Sequence, residues 1–183
     1  GQLVTDWQGN DVPMKAYDNI EGYHDTGISV NHSLSFQQQV SEGTSVFSAL
    51  SYLKDDSKIP GAELKRVNLS TRATTSFGPD KTWTSDFKVN YIKSTANNRP
   101  FGGQGGSATS QVNGFPRSLD ITQFKAGADE FGNMIWYNEN GTNPYWNAKN
   151  RLSEDSRDRF LMTGSIKKEL TEWLTAEIKA GAD

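Results

Sequence analysis

The stretch Ile28-Ser29-Val30-Asn31-His32-Ser33-Leu34-Ser35-Phe36-Gln37 alternates apolar or ring-bearing side chains with hydroxyls and amides. Successive side chains of a β-strand point to opposite faces, so this stretch predicts a strand with one apolar and one polar face. The polar residues Ser41-Glu42-Gly43-Thr44 follow and predict a tight turn. The segment therefore predicts the first strand of an antiparallel sheet.

Further strands follow the same pattern. Between Ser45 and Lys54 the alternation is less regular, and it leaves open which face of that strand is apolar. The other strands have apolar faces at Val67, Leu69, Ala73 and Phe77, at Trp83, Phe87, Val89 and Tyr91, at Met162, Gly164, Ile166 and Leu170, and at Leu174, Ala176, Ile178 and Ala180. About six antiparallel strands are predicted, and the fold class is all-β.

The connections between these strands differ in length. Short turns follow strands one, three and five, whereas longer connections follow strands two and four. Since antiparallel strands alternate in direction, the short turns share one rim and the long loops share the other, as in a transmembrane β-barrel. The predicted organisation is a loop over 1–26, four strands over 27–93, a long extracellular loop over 94–158 with a short helix near 119–128, and two strands over 159–183.

Composition narrows the class of protein. The 183 residues are 34% hydrophobic and 11% aromatic, with a mean hydropathy of -0.70. A polar chain rich in aromatics fits either a soluble sugar-binding β-module or a membrane barrel with a wet interior. The net charge of -3 carries no basic block, which argues against nucleic acid as a partner. The chain has 0 Cys, so it contains no disulfide framework.

Strand length and charge distinguish a barrel from a soluble sandwich. The strands are about ten to twelve residues long, whereas strands of globular sheets average about five to six. Charged side chains stand in mid-strand at Arg72, Asp86, Lys88, Lys167, Glu177 and Lys179. A water-filled interior accommodates such charges, whereas a dry core does not. These features favour a large transmembrane β-barrel, and a soluble β-sandwich carbohydrate-binding module is the alternative.

A series of short motifs runs through nearly the whole chain. Its members are Gly1-Gln2-Leu3-Val4, Tyr23-His24-Asp25-Thr26-Gly27, Asn31-His32-Ser33-Leu34-Ser35, Phe47-Ser48-Ala49-Leu50-Ser51-Tyr52-Leu53, Ile59-Pro60-Gly61, Lys65-Arg66-Val67-Asn68-Leu69, Val89-Asn90-Tyr91, Asn98-Arg99-Pro100, Asn143-Pro144-Tyr145-Trp146, Arg157-Asp158-Arg159-Phe160 and Trp173-Leu174. In order and spacing, the series resembles the SusC-like (RagA/SusC) family of TonB-dependent outer-membrane transporters. The run Gln37-Gln38-Gln39 departs from the family, which usually has a Gly-rich approach to the turn.

The resemblance implies a function and partners. A complete member would have a barrel of roughly 22 strands around an N-terminal plug. It would import glycan oligosaccharides or peptides across the outer membrane of a Gram-negative, Bacteroidota-like bacterium. A SusD-like surface lipoprotein would cover it, outer-membrane lipid would surround it, and the TonB complex would supply energy. The chain has no plug domain and no signal peptide, so a fragment of a longer protein is predicted.

No arrangement of residues points to catalysis. His24 and His32 are not set among metal ligands, and no Ser/His/Asp motif appears. The stretch Gly102-Gly103-Gln104-Gly105-Gly106 lacks the Lys-Ser/Thr of a phosphate loop. The segment Asp129-Glu130-Phe131-Gly132-Asn133 lacks the alternating oxygen ligands of a Ca²⁺ loop. The expectation is a protein that is not an enzyme and that has no cofactor and no metal.

The long loop offers the candidate contact residues. They are Phe101, Phe115, Trp136, Tyr137, Tyr145 and Trp146, with Asn138, Asn140 and Asn147 nearby. Aromatic faces beside amides suit stacking on sugar rings and hydrogen bonding to hydroxyls, so these residues are predicted to contact a ligand or partner. In the alternative, Trp136, Tyr145 and Trp146 pack the loop onto itself or onto the lid.

Overall fold

The computed structural model describes residues 1–99, 107–150 and 153–183. The chain divides into two compact units. The loop unit comprises Gly1–Ser29, Asp55–Leu64 and Ala96–Glu154, and the sheet unit comprises Val30–Lys54, Lys65–Thr95 and Asp155–Asp183.

Six strands form one antiparallel sheet, which confirms the all-β fold class. They are β3 (Ile28–Ser41), β4 (Thr44–Asp56), β5 (Glu63–Phe77), β6 (Trp83–Asn97), β7 (Glu154–Thr171) and β8 (Leu174–Ala182). Their order in the sheet follows their order in the chain, so β3 and β8 are the two edges. Because β6 runs to Asn97 and β7 starts at Glu154, the strands extend into both ends of the loop predicted over 94–158.

Tight turns join β3 to β4, β5 to β6 and β7 to β8. Gly43 shows what the first of these turns requires: its φ is +82°, and a Cβ there would lie 2.8 Å from the Ser76 carbonyl oxygen. Glycine is the residue that adopts this conformation without strain. A short 3-10 helix, Pro79–Lys81, forms the second turn. The connections after β4 and β6 are longer, as the sequence predicts.

Cross-strand contacts show which side chains of neighbouring strands share a face. The Ser48 hydroxyl lies 3.2 Å from the Thr71 hydroxyl, which joins the even-numbered residues of β4 to the odd-numbered residues of β5. Phe77 stacks on Trp83 at a centroid distance of 6.0 Å, and a Cβ at Gly164 would lie 3.5 Å from the Phe87 ring. In the register of β7 with β8, Gly164 lies opposite Ala180, so this face continues onto β8.

The face defined by these contacts is mostly apolar, and we call it the apolar face. Its large side chains are Val46, Leu50, Tyr52, Val67, Leu69, Phe77, Trp83, Phe87, Val89, Tyr91, Phe160, Met162, Ile166, Leu170, Leu174 and Ile178. The predicted apolar positions of β5 to β8 are all on it, because side-chain direction in a strand follows directly from residue parity.

The opposite face carries the mid-strand charges. Arg72 and Asp86 form an ion pair between β5 and β6, and the Arg66 Nε donates to the Ser94 hydroxyl at 3.1 Å. Lys167 lies opposite Glu177 in the register of β7 with β8. Opposite charges placed directly across two strands stabilise a sheet, so this polar face supports the same pairing as the apolar one.

No residue of the sheet unit is buried, and all its residues belong to the part of the chain that the structure describes. Leu34 is 73% exposed, Leu69 46% and Phe77 43%. Within the described residues, therefore, no second sheet covers the apolar face. The buried side chains of the described chain all belong to the loop unit.

The loop unit has its own small core. Its elements are β1 (Leu3–Thr5), β2 (Asp11–Pro13), α1 (Asn19–Tyr23), α2 (Ala108–Asn113), a 3-10 helix (Ile121–Phe124) and α3 (Pro144–Asn150). Its core side chains are Tyr23, Val112, Phe115, Ile121, Phe124 and Tyr145. The 3-10 helix lies within the short helix predicted near 119–128, whereas β1, β2 and α1 occupy a segment that the sequence predicts as a loop.

None of the helices within residues 1–99, 107–150 and 153–183 combines the length and the apolar character required to cross a membrane.

Candidate functional site

Most of the predicted contact residues lie in the core of the loop unit or against it. Phe115 and Tyr145 are buried, and Trp136 and Tyr137 lie against Phe115 at centroid distances of 5.1 and 4.9 Å. Trp146 is half-buried. Phe101 falls outside the described residues.

This packing limits which aromatic faces can meet a ligand. The Phe115 ring is also 5.8 Å from Phe124, so other rings occupy its surroundings. In this packing the aromatic residues of the long loop contact one another. The alternative given in the sequence analysis, in which the loop packs onto itself, describes this arrangement. Trp136, Tyr137 and Trp146 keep part of their surface exposed, and contact between them and a ligand or partner stays a prediction.

Two buried asparagines hold the loop unit together. The Asn143 Nδ2 donates to the carbonyls of Phe124 and Ile135 at 2.8 and 2.9 Å, and its Oδ1 accepts from the backbone N–H groups of Tyr145 and Trp146. Asn143 is fully buried, and a buried amide that makes all these bonds fixes its partners in place. It therefore ties the start of α3 to two other segments.

Asn19 does the same at the other side of this core. Its Nδ2 donates to the carbonyls of Pro116 and Leu119 at 3.2 and 3.0 Å, and its Oδ1 accepts from the Ile121 N–H at 3.0 Å. These hydrogen bonds join α1 to a segment that is about 100 positions away in the chain. The sequence gives little sign of this role, because buried asparagines carry no periodic signal.

Two hairpin turns share the pattern Asp-x-x-Gly-Asn, which the sequence interpretation did not identify. In Asp6-Trp7-Gln8-Gly9-Asn10 the Asp6 carboxylate accepts from the backbone N–H groups of Gln8 and Asn10. In Asp129-Glu130-Phe131-Gly132-Asn133 the Asp129 carboxylate accepts from those of Phe131 and Asn133. Gly9 and Gly132 have φ values of +88° and +86°.

The donors of each turn stabilise the charged form of its carboxylate. The pKa of Asp6 lies below its ordinary value of 3.8, chiefly because the Asn10 backbone N–H donates to it. The pKa of Asp129 is also lowered, chiefly by the Asn133 side-chain amide. The bonds of Asp129 are therefore those of a turn. The described residues contain no group of three or more His, Cys, Asp or Glu side chains placed to hold a metal ion.

Two tyrosines meet in the core with unequal hydrogen bonding. The rings of Tyr23 and Tyr145 are 5.0 Å apart, and the Tyr145 hydroxyl donates to the Gly22 carbonyl at 3.2 Å. The Tyr23 hydroxyl is buried and has no partner among the described residues. Burial raises the pKa of each phenol to about 12, and the nearby Asp25 carboxylate adds to both shifts.

A cavity of about 310 Å³ opens beside Tyr145, and we call it the Tyr145 cavity. Its lining residues are Asp25, Pro60, Gly61, Lys125, Tyr145, Ala148 and Lys149. All of them belong to the loop unit. Four separate stretches of chain meet here, and three of these contribute residues of the short motifs noted in the sequence.

The Asn98 side chain ties two walls of this cavity together. Its Nδ2 donates to the Gly61 carbonyl at 3.0 Å and to the Ala148 carbonyl at 3.1 Å. Asn98 itself is fixed by Ser153, whose N–H donates to its Oδ1 at 3.2 Å and whose carbonyl accepts from the Asn98 N–H at 2.6 Å. Asn98 has a φ of +48°, a conformation that asparagine tolerates better than most residues.

The charged side chains of the cavity come from different elements. Asp25 is positioned by its backbone N–H, which donates to the Lys58 carbonyl at 2.8 Å. The Lys149 Nζ donates to the Ala126 carbonyl at 3.1 Å, while the Lys125 ammonium has no partner among the described residues. Of this set only Tyr145 was a predicted contact residue. Lys125 and Lys149 were missed because isolated lysines in a segment predicted as a loop carry no sequence signal.

Searches with protein-family models and against curated proteins give no match to this chain.

Proposed function

We propose that the sheet unit is part of the wall of an outer-membrane β-barrel, with its apolar face toward lipid and its charged face toward an aqueous interior. The protein would then be a TonB-dependent transporter of the SusC-like kind. It would import glycan oligosaccharides or peptides, with a SusD-like surface lipoprotein as its partner. The observation that carries the proposal is the apolar face, which spans β4 to β8 and is uncovered within the described residues.

Exposure of this face to water would be costly. Burial of apolar surface stabilises by about 25 cal/mol per Å², and soluble monomers rarely expose contiguous apolar patches above a few hundred Å². Phe87 and Ile166, both within strands of the sheet, are 52% and 51% exposed. Hydrocarbon would solvate such side chains, whereas bulk water would favour aggregation.

The rims of the apolar face carry aromatic residues, as interfacial girdles do. At the tight-turn end, Trp83 stacks on Phe77 and has the Lys168 ammonium 4.6 Å from its ring centroid. Toward the other end, Tyr91 lies 4.6 Å from Phe160. Eight positions separate Trp83 from Tyr91, which corresponds to about 26 Å along a strand at about 3.3 Å per residue. An apolar band about 25 Å tall is typical of membrane barrels.

The edges of the sheet also favour closure. The strands β3 and β8 each have one neighbour, so each leaves a row of backbone donors and acceptors without a partner strand. In a bilayer these groups cannot bond to water, and a closed barrel is the β-structure that satisfies all of them. Further strands on both sides would complete the wall.

Fractionation of cells that express the intact protein tests the proposal. We expect the protein in outer membranes, with release by detergent and not by high salt or alkaline carbonate, because hydrophobic burial in lipid holds it there. We also expect residues 1–183 alone to aggregate through the open edges of β3 and β8. A monomeric, cooperatively melting protein from residues 1–183 would refute the proposal and favour a soluble carbohydrate-binding module.

A further inference from the structure

We propose that the Tyr145 cavity binds one acidic sugar residue of an oligosaccharide, with the sugar carboxylate held between Lys125 and Lys149. The choice of a sugar rests on the proposed transport function, whereas the choice of an anion rests on the side chains of the cavity.

The size of the cavity suits a small occupant. Its volume of about 310 Å³ is at the lower end of the range for ligand sites, about 300–1,000 Å³. A single sugar ring, or one unit at the end of a longer chain, matches this space. The cavity is open to solvent, so the rest of an oligosaccharide could extend out of it.

The charges of the cavity favour an anion. The lining residues include two lysines and one carboxylate, Asp25, which leaves an excess of one positive charge. Counting bonds to described residues, the Lys149 Nζ uses one of its donors on the Ala126 carbonyl and keeps two, and Lys125 keeps three. Hydrogen bonds between charged groups are about twice as strong as neutral ones, so a carboxylate gains more here than a hydroxyl does.

The remaining lining residues favour a sugar acid over a simple anion. Asp25 can accept hydrogen bonds from hydroxyl groups, which sulfate, chloride or a fatty acid would not supply. Pro60, which is partly exposed, contributes a ring surface against which the flat C–H face of a pyranose can pack. A uronic acid carries an anionic group, several hydroxyl donors and such a face in one ring.

The cavity is preorganised for binding. Asn98 fixes the distance between the walls at Gly61 and Ala148, and Asn143 fixes the start of α3, which carries Tyr145 and Lys149. Walls that are already ordered need no further loss of conformational entropy when a ligand arrives. Affinity can therefore come from few contacts.

The scaffold and the charges of the cavity have different origins in the sequence. Pro60, Gly61, Tyr145 and Asn98 belong to motifs that carry the family resemblance, whereas Lys125 and Lys149 do not. Residues of the motif series would thus hold the walls, and two lysines outside that series would set the charge of the ligand.

Calorimetric titration of the detergent-solubilised intact protein tests the inference. The probes are trigalacturonate, its fully methyl-esterified form, which has the same ring framework without charge, and triglutamate. We expect trigalacturonate to bind at least tenfold more tightly than the ester. We expect Lys125→Gln and Lys149→Gln each to weaken trigalacturonate roughly tenfold, as the loss of one charge-assisted hydrogen bond predicts, with little effect on the ester. Lys15→Gln, also in the loop unit but outside the cavity, is the matched control and should change neither affinity.

Equal affinity for the acid and its ester would overturn the inference, as would an unchanged preference in the Lys125→Gln, Lys149→Gln double variant. Binding of triglutamate as tight as that of trigalacturonate would overturn the choice of a sugar. Both lysines are near the surface, and circular dichroism melting of each variant checks that the fold is retained. Membrane fractionation of the same preparations is scored separately. A protein in the outer membrane without the charge preference would refute this inference alone, and a soluble protein with the preference would refute the transport proposal alone.

Discussion

The hydroxyl of Ser48 lies 3.2 Å from the hydroxyl of Thr71, so β4 presents its even-numbered side chains on the same face as the odd-numbered side chains of β5. This contact assigns Leu50 and Tyr52 to the apolar face and Phe47 to the polar one. The two hydroxyls are polar groups within a mostly apolar surface. By bonding to each other, each hydroxyl satisfies the other within that apolar surface.

Spin labels on adjacent residues of β7 should report opposite environments. The chain has 0 Cys, so Met162→Cys and Thr163→Cys each provide a unique attachment site within it. Met162 lies on the apolar face and Thr163 on the polar one. For protein reconstituted in lipid, we expect the label at position 162 to be relaxed mainly by oxygen, which concentrates in hydrocarbon. The label at position 163 should be relaxed mainly by a water-soluble nickel complex.

A label at position 162 that responds mainly to the nickel complex would contradict the lipid-facing assignment. A label at each of Gly164 and Ser165 repeats the comparison one step along β7 and serves as the control for local effects of the label.

Replacement of Asn143 should destabilise the loop unit. The change Asn143→Ala leaves the carbonyls of Phe124 and Ile135 without their side-chain donor and removes the cap at the start of α3. Buried groups left without partners cost about 1–3 kcal/mol each, so we expect a loss of roughly 2–4 kcal/mol. Amide hydrogen exchange of α3 measures the change.

The matched control is Asn150→Ala in the same helix. The Asn150 Nδ2 donates to the Trp146 carbonyl at 2.9 Å, but Asn150 is exposed, so the loss should stay within about 0.5 kcal/mol. An equal loss of stability in Asn143→Ala and Asn150→Ala would show that burial of the Asn143 amide does not increase its contribution to the stability of the loop unit.

Removal of the hydroxyl should have opposite effects on the two core tyrosines. The Tyr23 hydroxyl is buried without a partner among the described residues, so Tyr23→Phe should leave stability unchanged or raise it. The Tyr145 hydroxyl donates to the Gly22 carbonyl, so Tyr145→Phe should cost about 1 kcal/mol. Thermal melting of the two variants compares them, and a larger loss for Tyr23→Phe would mean that its hydroxyl has a partner in solution.

Alkaline pH should weaken the loop unit. The pKa of Tyr23 and of Tyr145 is about 12 in the folded state, against an ordinary value of 10.0. Between these values the unfolded state releases protons that the folded state retains, so stability is full below about pH 10 and is lost as pH rises through about 12. Ultraviolet absorbance of tyrosinate follows the ionisation of the tyrosines. The ionisation of Tyr23 and Tyr145 near pH 12 should be absent from the Tyr23→Phe, Tyr145→Phe double variant. Ionisation of all six tyrosines near pH 10 would contradict the burial of these phenols.

The sequence by itself determined the strands of the sheet and the faces of most of them. Period-2 alternation is a local property, and residue parity converts it directly into side-chain direction. Ile166 and Ile178 were assigned to apolar faces from the sequence, and they lie opposite each other in the sheet. In β4 the alternation is irregular, and only the contact of Ser48 with Thr71 assigned its face.

Tertiary structure decided the loop unit and its cavity. Asn19, Asn98 and Asn143 act through bonds to carbonyls that are distant in the chain, and the Tyr145 cavity joins residues from four separate stretches. Such groups leave no periodic pattern, because their positions follow from how the chain folds back on itself. The strands could be predicted because each is defined by its own residues, whereas the cavity exists only when distant residues meet.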